Sequence, residues 1–323
     1  MKSVLVTGGA GFIGSHLVDR LVREGFEVDV VDNLSSGHAE FVNETVRREK
    51  RFFEKDFSDS QVLQNIRNRK YDCVYHIAAV PRVSYSVEYP LESHDTNVSK
   101  TLQLVDACKG NTNRIVFASS SSVYGGADQL PTSESYPKSP KSPYALQKSI
   151  IEDYLQQYYM HYGLDSVSLR FFNVFGPRQL GGSPYSTAVS AWLTEIKKGG
   201  SMRSDGDGSQ SRDMCYVDNV VDACYRAGTS KAELKADVFN VACGDRTTNK
   251  QILEFLLTRY PGSKWHSAPW RLGDVMHTQA DVSKLHEKLG YTPIVRFWEG
   301  LEKTIEWYDS EWDRIKYYGA KKC

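Results

Sequence analysis

A strand, a glycine turn and a helix follow one another at the start of the chain, and this pattern constrains the fold most. Residues 3–7 are a short apolar run typical of a buried parallel strand. Glycines at 8, 9, 11 and 14 follow it and lead into an amphipathic segment that ends near Arg23. Glycine lets the backbone approach a pyrophosphate closely, and a helix N-terminus offers free N–H groups to an anion. The pattern predicts a dinucleotide site.

An acidic residue at the end of the next strand supports this interpretation. Residues 27–32 read as a second strand, and Asp32 lies about 18 residues after Gly14. A carboxylate at this point accepts the adenosine ribose hydroxyls and repels a 2′-phosphate. Residues 33–36 contain no arginine that could hold such a phosphate. The sequence therefore favours NAD over NADP.

Strands and helices continue to alternate, which is typical of a doubly wound parallel sheet. Further strands are predicted at residues 51–56, 71–79 and 113–122, with Asp56 at the end of the first. Helices are predicted at about 93–109 and 142–162. Beyond about residue 175 the alternation gives way to loops and shorter helices. We therefore predict a sheet domain over residues 1–175, completed by a strand near 238–242, and a smaller mixed α/β substrate lobe over 176–323.

Tyr144 and Lys148 are four residues apart in the second of these helices. This spacing places both side chains on one helix face, where an ammonium favours phenolate and lowers the pKa of the phenol. Tyr144 is thus a candidate general base. The alternative is a solvated pair on an amphipathic helix. A run of four serines, residues 119–122, ends the strand before this helix.

Composition excludes several classes of partner. The 323 residues include 40 basic and 40 acidic side chains, so nothing favours nucleic acid or an anionic membrane surface. The six cysteines have no metal-ligand spacing, and we predict buried thiols, no metal and a reducing compartment. No signal peptide and no apolar stretch of membrane-spanning length is present in the sequence, which predicts a cytoplasmic protein.

Several ordered motifs together resemble the extended short-chain dehydrogenase/reductase family, in particular its nucleotide-sugar epimerases. The resemblance extends over nearly the whole chain, and the sequences of the motifs are most similar to those of UDP-N-acetylhexosamine 4-epimerases. It implies a Rossmann-type fold and bound NAD. The motifs are T-G-G-A-G-F-I-G, H-I-A-A, S-S-S-S-V-Y-G, Y-A-L-Q-K, L-R-F-F-N-V-F-G-P-R, G-D-G-S-Q-S-R-D-M and R-L-G-D-V-M-H-T-Q-A-D.

The resemblance also implies the site residues. The implied catalytic residues are Ser120, Tyr144 and Lys148. The implied NAD contacts are Gly8, Gly11, Phe12, Ile13, Gly14, Asp32, Asn33, Ser35, Gly37, Asp56, Phe57, Ile77, Ala78, Ala79, Asn97, Tyr144, Lys148 and Phe171. The implied UDP-sugar contacts are Arg82, Ser120, Ser121, Ser122, Tyr144, Asn173, Gln179, Tyr185, Ser186, Arg212, Arg271, Asp274 and Thr278. Arginine forks suit a diphosphate.

In the implied reaction Tyr144 takes the C4 hydroxyl proton, a 4-keto sugar forms, and its reduction from the other face inverts C4. Thr278 falls where the family carries Tyr in glucose-specific epimerases, so UDP-GlcNAc and UDP-GalNAc, or their uronic acid forms, are the expected pair. UDP-glucose/UDP-galactose or UDP-glucuronate 4-epimerisation is the alternative. Dehydratases and decarboxylases carry acids where this chain has Ser121 and Ser122, and non-catalytic NAD sensors commonly lack the Tyr or the Lys. The family also implies a homodimer formed through a four-helix bundle.

Overall fold

The computed structural model describes residues 3–68, 70–181, 187–270 and 275–318. Four predicted substrate contacts, Tyr185, Ser186, Arg271 and Asp274, lie outside the described residues.

The central layer is a seven-stranded parallel sheet, counted over the described part of the chain. The strands in chain order are β1 Ser3–Thr7, β2 Glu27–Asp32, β3 Phe52–Glu54, β4 Cys73–His76, β5 Arg114–Ser120, β6 Ser166–Phe171, β7 Val174–Phe175, β8 Ser201–Asp205, β9 Ser211–Arg212, β10 Cys215–Tyr216, β11 Asp237–Val241, β12 Thr247–Thr248 and β13 Lys264–Ala268. The spatial order of the central sheet is β11-β6-β5-β4-β1-β2-β3. The direction of strand addition therefore reverses between β1 and β4, and open sheets of this kind bind ligands at such a switch point.

Helices cover both faces of this sheet. They are α1 Phe12–Arg23, α2 Glu44–Arg48, α3 Ser60–Arg67, α4 Val83–Glu88, α5 Pro90–His94, α6 Thr101–Cys108, α7 Pro143–Tyr162, α8 Ala188–Lys197, α9 Val217–Thr229, α10 Asn249–Arg259, α11 Ser283–Leu289 and α12 Phe297–Ile315. A π-helical segment, Asp95–Lys100, joins α5 to α6, and short 3-10 turns occupy Ala39–Phe41 and Ser121–Tyr124.

Alternating side chains of the strands supply two cores. Val4 and Val6 of β1 pack in the core that contains Leu17 of α1, whereas Leu5 packs on the other face with Leu104 of α6. All five side chains are inaccessible to solvent. Burial on both faces explains why these strands read as continuous apolar runs.

The expected fold class is confirmed, with differences at element boundaries. The additional strand lies at Asp237–Val241, and the predicted helix 93–109 is three elements, because α5 and α6 are joined by the π-helical segment. Strand β6 was not predicted, although it is buried throughout. Within the described ranges, no helix is both long and apolar enough to span a bilayer.

Candidate active site

The glycine turn after β1 is shaped by close backbone contacts. Gly8 has a φ of 72°, and a Cβ there would lie 2.8 Å from the backbone N of Ala78. A Cβ on Gly14 would lie 2.0 Å from the carbonyl oxygen of Gly8, so the first turn of α1 packs directly on the loop. Gly11 is the N-cap residue and has no side chain to cap the helix. The first N–H groups of α1 are thus left for an anion.

Asp32 at the end of β2 ties two loops together. Its Oδ2 accepts a hydrogen bond from Ala10 N at 3.0 Å and its Oδ1 accepts one from Leu34 N at 2.8 Å. Asp32 therefore stands beside the glycine turn as the sequence predicted.

A cavity of about 560 Å³ lies at the carboxyl ends of the strands. All predicted NAD contacts line it except Gly37 and Asn97. A Cβ on Gly37 would lie 2.9 Å from Asp32 Oδ1, so this glycine makes room for the carboxylate. The side chain of Asn97 instead holds the loop after β4, since it accepts from Val80 N at 2.8 Å and donates to Val80 O at 2.9 Å.

Tyr144 and Lys148 both line this cavity from α7, and both are buried. Ser142 caps the helix by accepting from Ala145 N, and Pro143 occupies its first position. The Lys148 ammonium lies 5.9 Å from the centroid of the Tyr144 ring and donates to Ala118 O at 2.7 Å. One turn of helix and the end of β5 thus set the geometry of the pair.

The pKa of Tyr144 differs from the expectation. Burial raises it to about 12, and a hydrogen bond with Ser120 acts in the opposite direction. Burial also lowers the pKa of Lys148 to about 7, against the raising influence of Glu152. The expectation that Lys148 depresses the pKa of Tyr144 does not hold for the protein's own groups, because desolvation dominates at both residues.

The serine run forms a hydroxyl chain. Ser120 Oγ accepts hydrogen bonds from Ser122 N at 3.2 Å and from Ser122 Oγ at 2.9 Å. With its acceptor positions used, the Ser120 hydroxyl can donate its own proton, and Ser120 acts to lower the pKa of Tyr144. Ser121 begins the 3-10 turn that follows and is half-buried.

A buried network behind the pair was missed in the sequence. Glu152 accepts two hydrogen bonds from Arg170, at 2.9 and 2.6 Å, and one from Ser119 Oγ at 2.6 Å. Ser119 itself lines the cavity. The position of Glu152 four residues after Lys148 on the same helix face was the available signal. Glu152 therefore links the cavity wall to β6.

Part of the predicted substrate set forms a second cluster. Thr278 Oγ1 accepts from Asn173 Nδ2 at 3.2 Å and from Asp213 N at 3.3 Å. Asn173 has a φ of 28°, a conformation that costs energy unless its surroundings hold it. Arg212 Nη1 donates to the carbonyl oxygens of Ser211 and Met276, both at 3.1 Å. Asn173, Arg212 and Thr278 are thus brought to neighbouring segments.

Two other predicted substrate contacts, Gln179 and Arg82, are not part of the cluster around Thr278. Gln179 lines the dinucleotide cavity, and its amide is engaged with Val174 O and Thr187 Oγ1. Arg82 is half-buried at the start of α4 and is not among the residues that line the cavity.

The residues present fit an NAD molecule. The uncapped start of α1 suits a pyrophosphate, and Asp32 suits the ribose. Three cations that line the cavity each pair with a carboxylate: Lys55 with Asp59 at 3.0 Å, Lys100 with Asp56 at 3.0 Å and Arg178 with Asp19 at 2.8 Å. The charge of each of these three cations is therefore balanced by a neighbouring carboxylate.

The sheet and the cavity define a Rossmann-type dinucleotide-binding protein. The chain belongs to the NAD dependent epimerase/dehydratase family, whose model matches residues 4–242, and its cofactor is NAD. The UDP-glucose 4-epimerase of Mycolicibacterium smegmatis is 37% identical over 313 residues, which cover 94% of this chain and 97% of that protein.

Two solved structures are similar over almost their full length. The UDP-N-acetylglucosamine 4-epimerase of Methanobrevibacter ruminantium M1, in complex with UDP-N-acetylmuramic acid, has a TM-score of 0.89 at 37% identity and covers 96% of this chain and 99% of its own. The UDP-glucose 4-epimerase of Thermus thermophilus, in complex with NAD, has a TM-score of 0.85 at 35% identity and covers 95% and 99%.

Proposed function

We propose that this protein is an NAD-dependent UDP-sugar 4-epimerase that inverts C4 through a 4-keto intermediate. The observation that carries the proposal is the placement of Tyr144 and Lys148 together on the wall of a dinucleotide cavity. Epimerase relatives of similar length support it. The rival chemistries are disfavoured by Ser121 and Ser122, which stand where dehydratases and decarboxylases carry acids.

Each residue has a defined task in this proposal. Bound NAD supplies a reversible hydride acceptor and a positive ring that favours phenolate. Tyr144 accepts the C4 hydroxyl proton, and Ser120 donates to the sugar oxygen while Ser122 fixes the direction of the Ser120 hydroxyl. Lys148 donates to Ala118 O and, when protonated, adds a second positive charge near the phenol.

Two measurements test the class of reaction. Because an epimerase regenerates its cofactor in every cycle, protein purified without added nucleotide should release NAD(H) on acid treatment. NMR of a panel of UDP-sugars after incubation should show only C4 inversion, without net NADH formation. Stoichiometric consumption of added NAD would instead indicate a dehydrogenase.

We further propose that residues 176–323, with the β11 segment excepted, bind the UDP-sugar, and that the preferred pair is UDP-GlcNAc and UDP-GalNAc. Thr278 is small enough to leave room for an acetamido group, and the similar structure from Methanobrevibacter ruminantium M1 is a UDP-N-acetylglucosamine 4-epimerase. The alternative is the glucose and galactose pair, which is supported by the similar UDP-glucose 4-epimerases. The uronic acid forms remain a further alternative within the same reaction.

The hydrogen bonds of Thr278 allow volume to be separated from polarity. Thr278→Tyr adds a ring, and overpacking costs about 1 to 3 kcal/mol, or roughly 5- to 150-fold in discrimination. It should depress kcat/KM for the N-acetylated pair and spare the plain hexoses. Thr278→Val is the matched control, since it keeps the volume and removes the acceptor used by Asn173 and Asp213.

Volume is the basis of selectivity only if the Val variant leaves the ratio between the two sugar pairs unchanged. A Val variant that shifts the ratio as strongly as the Tyr variant would assign selectivity to the hydrogen bonds instead. A Tyr variant with an unchanged ratio would remove the argument for the N-acetylated pair.

A homodimer is proposed as the assembly. Apolar side chains are exposed on α4, α5, the residue between them and α7, and Leu91 is 86% exposed. The family resemblance implies a bundle of the helices that correspond to residues 93–110 and 142–162. The exposed set differs from it in part, since α6 is mostly buried. The exposed set is Val83, Val87, Tyr89, Leu91, Leu146, Tyr154, Met160 and Tyr162.

Leu91→Asp should convert a dimer to a monomer in light scattering after gel filtration. Ile294→Asp, an equally drastic change at a 53% exposed site in the loop before α12, should leave the mass unchanged. A wild-type protein that is monomeric at micromolar concentration would contradict this assembly.

A further inference from the structure

Three aromatic rings close one side of the dinucleotide cavity. His38 and Phe41 lie in the segment that follows β2, and Tyr318 lies just beyond α12. The Tyr318 ring stacks on His38 with 4.7 Å between centroids and an angle of 22°, and meets Phe41 edge-on at 6.0 Å. All three residues line the cavity. We refer to this set as the aromatic clasp.

The clasp is connected to the glycine turn by backbone. His38 N donates to Ala10 O at 2.9 Å, and Ala10 N donates to Asp32 Oδ2 at 3.0 Å. The segment under the Tyr318 ring is therefore fixed to the residues that suit pyrophosphate and ribose. Displacement of this segment would separate the stacked rings.

Helix α12 also contacts a second segment of the cavity wall. The Tyr308 hydroxyl donates to Gln179 O at 2.6 Å and accepts from Gly181 N at 3.0 Å. Gln179 and Leu180 also line the cavity. Helix α12 and the residues just after it thus contact two wall segments that are distant in sequence.

From this geometry we propose that the aromatic clasp slows the release of bound NAD, with Tyr318 as the positioning residue. In this proposal NAD leaves as the wall segments separate, and their separation breaks the stack of Tyr318 on His38 and its edge contact with Phe41. The inference rests on the proposed function only in that an epimerase gains from a cofactor that stays bound between cycles. It is independent of the sugar.

The test measures NAD release directly. Holoenzyme loaded with radiolabelled NAD is chased with excess unlabelled NAD, without sugar, and label retained on a filter is followed. Aromatic pairs of this kind contribute enough for Tyr318→Ala to release NAD about 2- to 12-fold faster. Tyr318→Phe keeps the ring and should match the wild type.

Tyr317→Ala is the matched control, because this neighbouring ring is 78% exposed and is not among the cavity-lining residues. It should release NAD at the wild-type rate. Equal release from Tyr318→Ala and wild type, or equal acceleration by both alanine variants, would overturn the clasp.

A second variant protects the test against misfolding of Tyr318→Ala. His38→Ala removes the stack from the other side, and the double variant should release NAD no faster than the faster single variant. Fully multiplicative effects would show that the rings act separately and would contradict the proposal. Rapid release from the wild type would refute retention in the proposed function, whereas slow release from wild type and variants alike would refute only the clasp.

Discussion

Lys148→Met tests whether the buried ammonium of Lys148 lowers the free energy of unfolding of the protein. The side chain is 3% exposed, and burial lowers its pKa from 10.5 to about 7. Below pH 7 the group is protonated in both the folded and the unfolded protein, so the folded state carries the full penalty. A pKa shift of this size corresponds to a loss of about 5 kcal/mol in the free energy of unfolding of the protonated protein.

Methionine removes that penalty but leaves Ala118 O without its donor. An unsatisfied buried acceptor costs about 1 to 3 kcal/mol. At pH 6 we therefore expect the variant to be more stable than the wild type by about 2 to 4 kcal/mol. Between pH 7 and 10.5 only the unfolded wild type binds the proton, so wild-type stability gains from rising pH. Near pH 10.5 the variant should be less stable, by about 1 to 3 kcal/mol.

The assay is urea unfolding of nucleotide-free protein at pH 6 and pH 10. The difference between variant and wild type isolates Lys148, since the other titrating groups are common to both proteins. Lys288→Met, at an exposed position on α11, should change little at either pH. A difference of the same sign and size at both pH values would refute the desolvation of Lys148.

Three other predictions concern single residues. Tyr144→Phe removes the proton acceptor and should lower kcat by about 10²- to 10⁴-fold with little change in UDP-sugar affinity, measured by steady-state kinetics and calorimetry. Near wild-type turnover would exclude Tyr144 as the base. Glu152→Gln leaves Arg170 buried without its charge partner and should cost about 3 to 5 kcal/mol in urea unfolding; an effect below about 1 kcal/mol would contradict the network. The thiols of Cys73, Cys108 and Cys224 are buried, and burial raises the pKa of each. They should react with a disulfide reagent only after denaturant is added, and immediate reaction would indicate that they are exposed.

Local patterns predicted the parts of the molecule that are local in sequence. The turn at Gly8 and the helix with Tyr144 follow from spacing, because a few adjacent residues determine both. The prediction of buried thiols is confirmed for the five cysteines among the described residues. The expected lowering of the pKa of Tyr144 does not hold for the protein's own groups, since a sequence shows which charge is near but not how much solvent is excluded.

Contacts between distant segments could not be predicted in this way. Glu152 meets Arg170 because α7 packs on β6, and the stack of His38 on Tyr318 joins residues from opposite ends of the described chain. No periodicity carries such information. The π-helical segment that holds Asn97 was also unpredictable, because it differs from an α-helix by hydrogen-bond register alone.

The last strand of the sheet has a consequence for how the protein unfolds. β11 pairs with β6, yet residues 172–236 lie between them in the chain. Arg114 of β5 adds a further tie, since it donates to Ala227 O at 2.9 Å and to Ser230 O at 2.8 Å. A cut near residue 175 would therefore remove a strand from the sheet and carbonyl partners from β5. The two regions should therefore melt in a single calorimetric transition, as one cooperative unit.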